Sequence, residues 1–370
     1  MTATQLSDSA SVSDFASLPP LRKAIINAFR QPEALCVEAL TPAATLTGEQ
    51  NAAATGVASR LTETLRARRN PGLVETLVQE FSLSTVEGVA LMCLAEALLR
   101  IPDTATRDAL IQDKIGESDW LSHVARGKPM FANAAAWGLA LTGRLMGDHD
   151  EKRLSGALMG FVERSSMPVV RKAVDAAMRL MGEQFVLGQT IEQARKNSQK
   201  LEEVGFSYSY DMLGEAAYTA ADAERYRQDY IKAIDVIGRS AKGANVYERP
   251  GISIKLSALH PRYSRAQRDR VMNELLPIVQ DLVLRARRYD IGINIDAEET
   301  ERLDLSLDIL EALCATPGLE GWNGIGFVVQ AYGKRAPFAL DFIIDLARRT
   351  KHRIMVRLVK GAYWDSEIKR

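Results

Sequence analysis

Two hydrophobic periods divide the chain. From Leu21 to about Lys200, apolar residues recur at spacings of three and four, which places them on one face of a helix, with punctuation at Pro42, Pro71, Pro102, Pro129 and Pro168. Ser84 and Glu87 have the spacing of a capping box ahead of an apolar stripe through Leu91, Leu94 and Leu98, and Pro102 follows the end of that predicted helix. Nothing in this half alternates as a strand would. Ahead of it, residues 1–18 are rich in Ser, Ala, Asp and Thr with almost no large apolar groups, and they read as a disordered lead that cannot offset the entropy of ordering.

Near Gly205 the period changes to two. Strand-like runs appear at FSYSYDM (206–212), ISIKLS (252–257), INIDA (293–297), GFVVQAY (326–332) and IMVRLVK (354–360), separated by segments long enough for crossover helices. That is a repeated βα unit, which builds a parallel sheet. Because strand side chains alternate, Ile252, Ile254 and Leu256 share one face while Ser253, Lys255 and Ser257 share the other. Ile293 and Ile295 likewise oppose Asn294 and Asp296; Phe327 and Val329 oppose Val328 and Gln330; Ile354, Val356 and Leu358 oppose Met355, Arg357 and Val359. An open doubly wound sheet, covered on both faces, calls for near-continuous apolar strands. One apolar face per strand, with a polar residue late on the other, fits a barrel whose mouth lies at the carboxyl ends of its strands. The predicted architecture is α/β: a helical arm and helical domain over 19–200, then a TIM-like (βα)8 barrel over 201–370, of which five βα units are legible.

Composition narrows the function. The 370 residues carry 47 basic and 47 acidic side chains, so there is no general attraction to nucleic acid or anionic lipid. Apolar runs are broken well short of a membrane span, as Glu96 breaks Val89–Leu99, and the amino end lacks the basic start and apolar core of a secretory signal; a cytoplasmic protein is expected. Cys36, Cys93 and Cys314 are too scattered for a disulfide framework and read as buried reduced thiols, and the four histidines form no HxxxH pattern, so no metal site is expected.

The barrel parity brings Lys255, Asp296, Gln330 and Arg357 to one mouth, joined by Glu215 after the first strand and Lys360 at the end of the fifth. Any one of them alone could be half of a structural ion pair. Four in register on successive strands point to a ligand, since unpaired buried charge costs several kcal/mol or more. No GxxxxGK[ST] occurs, and Gly324 and Gly326 precede a strand instead of following one, so neither a P-loop nor a dinucleotide fingerprint is present. Arg357 and Lys360, leading into GAYW and a predicted helix start, offer fixed cations, backbone N–H groups and an aromatic plane suited to a flat anionic cofactor.

At these strands the sequence resembles the proline dehydrogenase domain of the bacterial bifunctional proline-utilisation flavoenzymes. The resemblance is carried by YSYDMLGEAA (208–217), SIKLSALHPRY (253–263), NIDAEE (294–299), VVQAYGKRA (328–336) and RLVKGAYWDSEIKR (357–370), and it extends to SSMPVVRKAVDAAMRLMGEQFVLGQTIEQA (165–194) in the helical region. It implies a distorted (βα)8 barrel that binds FAD and oxidises L-proline to Δ1-pyrroline-5-carboxylate. By the same resemblance Lys255 looks like the lysine that pairs with the proline carboxylate, Asp296 like the acid beside the substrate ring, and Ala297 like its neighbour near the flavin. Gln330 is similar to the glutamine on the flavin ring, Arg357 to the arginine beside flavin N5, and Val359, Lys360, Gly361, Ala362 and Trp364 to the run along the cofactor. Leu358 and Tyr363 resemble walls of the substrate pocket, and Glu215 the acid that pairs with a substrate-binding arginine.

The resemblance further implies a quinone as electron acceptor, with peripheral membrane contact, and a homo-oligomeric full-length protein. Some family members begin with a ribbon-helix-helix DNA-binding segment; too few residues precede the helical region here to form one, so no nucleic-acid partner is expected. The remaining strands and an aldehyde dehydrogenase domain are expected beyond Arg370. Two other readings stay open on the residues alone: a Schiff-base barrel lyase with Lys255 as nucleophile, and a non-catalytic scaffold for a partner. Residues 1–370 alone are expected neither to hold FAD well nor to oxidise proline, and a polypeptide extended by roughly 150 residues, enough for three more βα units, to regain both properties, with bound flavin and its bleaching by proline as the measurement.

Overall fold

The computed structural model describes residues 17–67, 105–106 and 186–367. The predicted capping box at Ser84 and Glu87, the prolines at 71, 102, 129 and 168, Cys93, His123 and His149 lie outside the described residues, as does the lead over 1–16. The chain divides into two compact units, one formed by Met1–Leu46 with Thr190–Arg370 and the other by Thr47–Gln189. Helices α1 (Pro20–Ala28) and α2 (Glu33–Ala44) belong to the first, α3 (Gly48–Arg66) to the second, and α4 (Ile191–Glu202) again to the first. Thr47 opens α3 with a reciprocal cap: its hydroxyl accepts the Gln50 N–H, and the Gln50 side chain accepts the Thr47 N–H. Pro42 does not break the chain as predicted but lies inside α2, two residues from its end. Only one helical hydrogen bond is lost there, and the exposed turn leaves the freed carbonyl to water.

The first unit continues through β1 (Ser209–Asp211), α5 (Ala220–Ser240), β2 (Gly251–Ile254), a single turn α6 (Leu256–Leu259), α7 (Leu276–Arg288), β3 (Ile293–Ile295), α8 (Leu303–Cys314), β4 (Ile325–Gln330), α9 (Ala336–Thr350), β5 (Met355–Val359) and α10 (Trp364–Glu367). The strands pair in parallel in the order β1-β2-β3-β4-β5. A doubly wound sheet reverses its order at a switch point, whereas a barrel keeps strands sequential. The sheet is also curled. Arg357 on β5 donates to the hydroxyl of Ser253 on β2 across 2.9 Å, although three strand spacings in a flat sheet would separate those backbones by about 14 Å. The described strands therefore form a curled half-barrel.

Alternation governs burial as expected on β2, β3 and β4: Ile252, Ile254, Ile293, Ile295, Phe327 and Val329 are buried against helices. The opposite face is buried too, with Ser253 and Asn294 nearly inaccessible, because the curled sheet closes on its own inner side. Two positions depart from the prediction. Ser257 lies in α6 and not on a strand, and β5, an edge of the sheet, leaves Val356 and Leu358 exposed where a helix-covered face was expected. The chain before β5 forms α9, which packs on β4. Gly238 is required where α5 meets Tyr289 at the end of α7, since a Cβ there would fall 2.2 Å from the tyrosine ring.

Buried Arg22 ties the arm to the half-barrel, beside Arg335 stacked 4.2 Å over Phe29 and Lys334 donating to the Gln31 carbonyl. Arg22 of α1 pairs with Asp308 of α8 at 2.5 Å, donates to the Asp304 carbonyl at 3.2 Å and lies 4.4 Å over the Phe342 ring of α9. Cys314 is buried in α8, and burial pushes its thiol up to about 11, which agrees with an inert packing role. Replacing Arg22 by Met is expected to cost about 3 kcal/mol, the low end for breaking a buried pair, because Asp308 keeps Arg268 at 2.8 Å. Hydrogen exchange should show amides of α1 losing protection while β2–β4 are unchanged; protection retained in α1 would contradict the role given to Arg22.

Candidate active site

Two side-chain clusters sit at the carboxyl ends of the strands. In the first, Lys255 follows β2 directly, and its Nζ lies 3.0 Å from Asp296 Oδ2 and 3.1 Å from Asp211 Oδ1. Arg357 Nη1 lies 3.5 Å from the other oxygen of Asp296 while donating to Ser253. Two cations and two carboxylates thus neutralise one another, with Asp296 the most buried of the four at 13% side-chain exposure. Burial disfavours the Lys255 ammonium, but Asp296 and Asp211 outweigh it and hold the group above the ordinary lysine range. Beneath it the Tyr230 hydroxyl accepts the Lys255 N–H at 3.1 Å, and burial pushes that phenol up.

In the second cluster the Gln330 amide at the end of β4 is held at both ends. Its Nε2 donates to the Glu298 carbonyl at 2.9 Å, and its Oε1 accepts the Ala362 N–H at 2.9 Å. Ala297 lies half-buried between the two clusters. The carbonyls of Val359 and Lys360 accept the N–H groups of Ala331 and Tyr332, so the loop after β5 is tied to the loop after β4. Gly361 takes φ +132°, and a Cβ there would fall 1.6 Å from the Tyr332 ring. Across the mouth, Tyr363 donates to Glu215 at 3.4 Å; burial first, then Glu215, pushes this phenol up.

The structure therefore brings together Lys255, Asp296 and Arg357, joins Gln330 to Ala362, and joins Glu215 to Tyr363. Lys360 presents an exposed side chain beside them. Leu358 and Trp364 are 60% and 57% exposed, and Leu358 alternates to the side away from Arg357, so neither is drawn into the clusters. Asp211, Ser253, Tyr230 and Glu298 were not singled out by sequence. Asp211 carried a signal, since it lies late in the first strand-like run on the same face as Ser209; Tyr230, one aromatic on an amphipathic helix, carried none. The Schiff-base reading of Lys255 needs a neutral amine, and the paired carboxylates favour the ammonium instead.

Fold and clusters define a class: a parallel-stranded barrel with ionised groups gathered at the carboxyl ends of its strands. Within that class, residues 194–370 match the family model of proline dehydrogenase, residues 19–66 that of the proline utilization A proline dehydrogenase N-terminal domain, and residues 73–185 that of the DNA-binding domain of proline dehydrogenase. The chain is 60% identical over 353 residues to the bifunctional protein PutA of Klebsiella aerogenes, covering 94% of this chain and 27% of that protein. It is 59% identical over 367 residues to the bifunctional protein PutA of Rhizobium meliloti, covering 98% and 29%. A crystal structure of the D779Y mutant of Bradyrhizobium japonicum proline utilization A superposes with a TM-score of 0.63 at 45% identity, over 92% of this chain and 34% of that one. Over nearly its whole length the chain is thus similar to proteins named proline utilization A, and its carboxyl-terminal part, residues 194–370, matches proline dehydrogenase. It spans 27% and 29% of the length of the two PutA relatives and 34% of the crystallised chain.

The charge on Lys255 has a consequence for stability. A group whose folded pKa lies above its unfolded value contributes fully below the unfolded value, about 10.4 for lysine, and loses that contribution as pH rises through the folded one. Asp211→Asn removes one of its two carboxylates, a half-exposed pair worth about 0.2–1 kcal/mol. The difference in denaturation midpoint between the two proteins should stay constant from about pH 6 to about pH 9 and shrink above about pH 10.4. A difference that grows with alkaline pH would overturn the pairing.

Proposed function

We propose that the chain carries the FAD-dependent proline dehydrogenase activity of a bifunctional proline-catabolic enzyme, oxidising L-proline to Δ1-pyrroline-5-carboxylate. The observation that carries the reading is the balanced array of Lys255, Asp296 and Arg357 at the barrel mouth. The residues beside it fit a flavin. Gln330 uses one of two N–H donors on Glu298, leaving the second for a ring acceptor, and Arg357 and Lys360 set fixed positive charge beside the tight turn at Gly361. Val359, Ala362 and Trp364 would line the cofactor, with Ala297 at its edge. The domain boundaries proposed are a lead over 1–18, a helical arm and domain over 19–200, and the barrel from 201.

Bound FAD supplies the hydride acceptor. Lys255 would bind the proline carboxylate through a charge-assisted contact, and Asp296 would orient the ring with its nitrogen as a neutral amine. Arg357 provides preorganised positive charge where negative charge develops during transfer. Glu215 and Tyr363 would close the substrate side. No side chain need act as a nucleophile. We further propose a quinone as electron acceptor, reached by peripheral membrane contact in a homo-oligomeric cytoplasmic protein; among the described residues no helix is long and apolar enough to cross a membrane. With 47 bases against 47 acids the chain has no general attraction for nucleic acid, whereas the model matching 73–185 is described by DNA binding, and a gel-shift titration over salt separates the two.

The test is the visible spectrum of the full-length protein. Proline should bleach the flavin band, and Arg357→Met should lower turnover by roughly 10- to 1000-fold with flavin still bound. Lys255→Met should weaken proline and carboxylate inhibitors together at nearly unchanged flavin content. A colourless full-length protein, or flavin that proline leaves oxidised, sinks the proposal.

A further inference from the structure

The loops that follow all five strands meet around one buried carboxylate. Glu298 lies just beyond β3, 7% exposed, and three of its oxygens are engaged. Oε1 accepts the Ser257 N–H at 3.1 Å, Oε2 pairs with Arg302 at 2.5 Å, and the backbone oxygen accepts Gln330 Nε2 at 2.9 Å. Each of two partners passes the contact on. The Ser257 hydroxyl accepts the Ala216 N–H at 3.0 Å, and its carbonyl accepts the Ala217 N–H at 2.9 Å. In the other direction, Gln330 Oε1 accepts the Ala362 N–H. One side chain and its own carbonyl thus reach the loops after β2 and β4 directly, and those after β1 and β5 through one relay each.

The first relay ends at a strained residue. Ala216 takes φ +52°, a left-handed conformation unfavourable for a residue with a Cβ, and its N–H is the group Ser257 holds. Glu215 immediately precedes it, so that turn sets where the Glu215 carboxylate goes. The second relay ends at Ala362, immediately before Tyr363. The two ends face each other across the mouth as the Tyr363–Glu215 contact. Burial pushes the Glu298 carboxyl up, and the Ser257 N–H and Arg302 oppose that shift, so the charged form depends on the same network.

We infer that Glu298 is the positioning residue that sets the loop of Glu215 and the loop of Ala362 and Tyr363 in register across the mouth. It touches neither substrate nor cofactor in this role. The inference rests on the proline dehydrogenase reading for its kinetic consequence but not for its structural one, which allows the two to fail separately.

The experiment uses the full-length protein and compares the natural form with Glu298→Ala and Glu298→Gln. Amide exchange should show Ala216, Ala217 and Ala362 losing protection in the alanine variant, although none of these bonds to Glu298 itself. Kinetically, a displacement of about 1 Å at a site of this kind costs on the order of 100-fold, and here it should appear chiefly as a higher KM for proline with flavin retained. Glutamine keeps an acceptor for the Ser257 N–H, so it should restore protection at Ala216 and Ala217 and most of the KM. Should the alanine variant fail to fold, Ser257→Ala removes the Ala216 acceptor alone, and the same loss at Ala216 with a raised KM is expected. Loss confined to the Ser257 amide, or Ala216 unchanged in Ser257→Ala, overturns the inference. If exchange responds as stated but the natural protein is not reduced by proline, the functional reading fails and the positioning role stands.

Discussion

The half-barrel depends on charge being neutralised inside a curled sheet. Taking an ammonium or a carboxylate out of water costs several kcal/mol, and mutual attraction offsets this only when partners are within contact distance. Lys255, Asp296 and Arg357 meet that condition because β2, β3 and β5 present their inner faces to one another, which a flat sheet of the same strands would not do. Curl and charge therefore support each other: the Arg357–Ser253 bond spans the interior, and the same guanidinium balances Asp296. Asp296, the most buried member, is the one both cations share, and its removal would leave Lys255 only the half-exposed Asp211.

That coupling explains what alternation could and could not reveal. Inner and outer faces were legible on β2, β3 and β4 because side-chain parity is a property of the chain alone, and it picked out Lys255, Asp296, Gln330 and Arg357 without reference to tertiary structure. Parity cannot say where a strand stops. The run 252–257 ends at Ile254 and turns into α6, which puts Lys255 at the junction and Ser257 in a helical turn, where its N–H and carbonyl are free for Glu298 and Ala217. The same limit hid Glu298 itself, read as part of an acidic NIDAEE motif, whose burial follows only from four strand ends converging on it.

Outer parity failed on β5 for a different reason. An apolar face predicts burial only if an element lies against it, and α9 takes the β4 side. Val356 and Leu358 keep the period of a covered strand and the exposure of an edge. Pro42 makes the converse point: a residue that interrupts most helices sits within α2, because an exposed last turn loses one bond and little else.

Electrostatics also decides which chemistry the mouth suits. A nucleophilic lysine has to be neutral for much of its time, which desolvation in an apolar pocket or a second cation achieves. Lys255 has the opposite neighbours, and its desolvation is outweighed by two carboxylates. A permanently charged ammonium is poorly suited to forming a covalent adduct and well suited to holding an anion. An incoming carboxylate need only replace Asp211, the more exposed of its two partners, while Asp296 stays paired with Arg357. With the half-exposed Asp211 turned to solvent, an incoming carboxylate would take its place on Lys255, and the array would gain no unpaired ion.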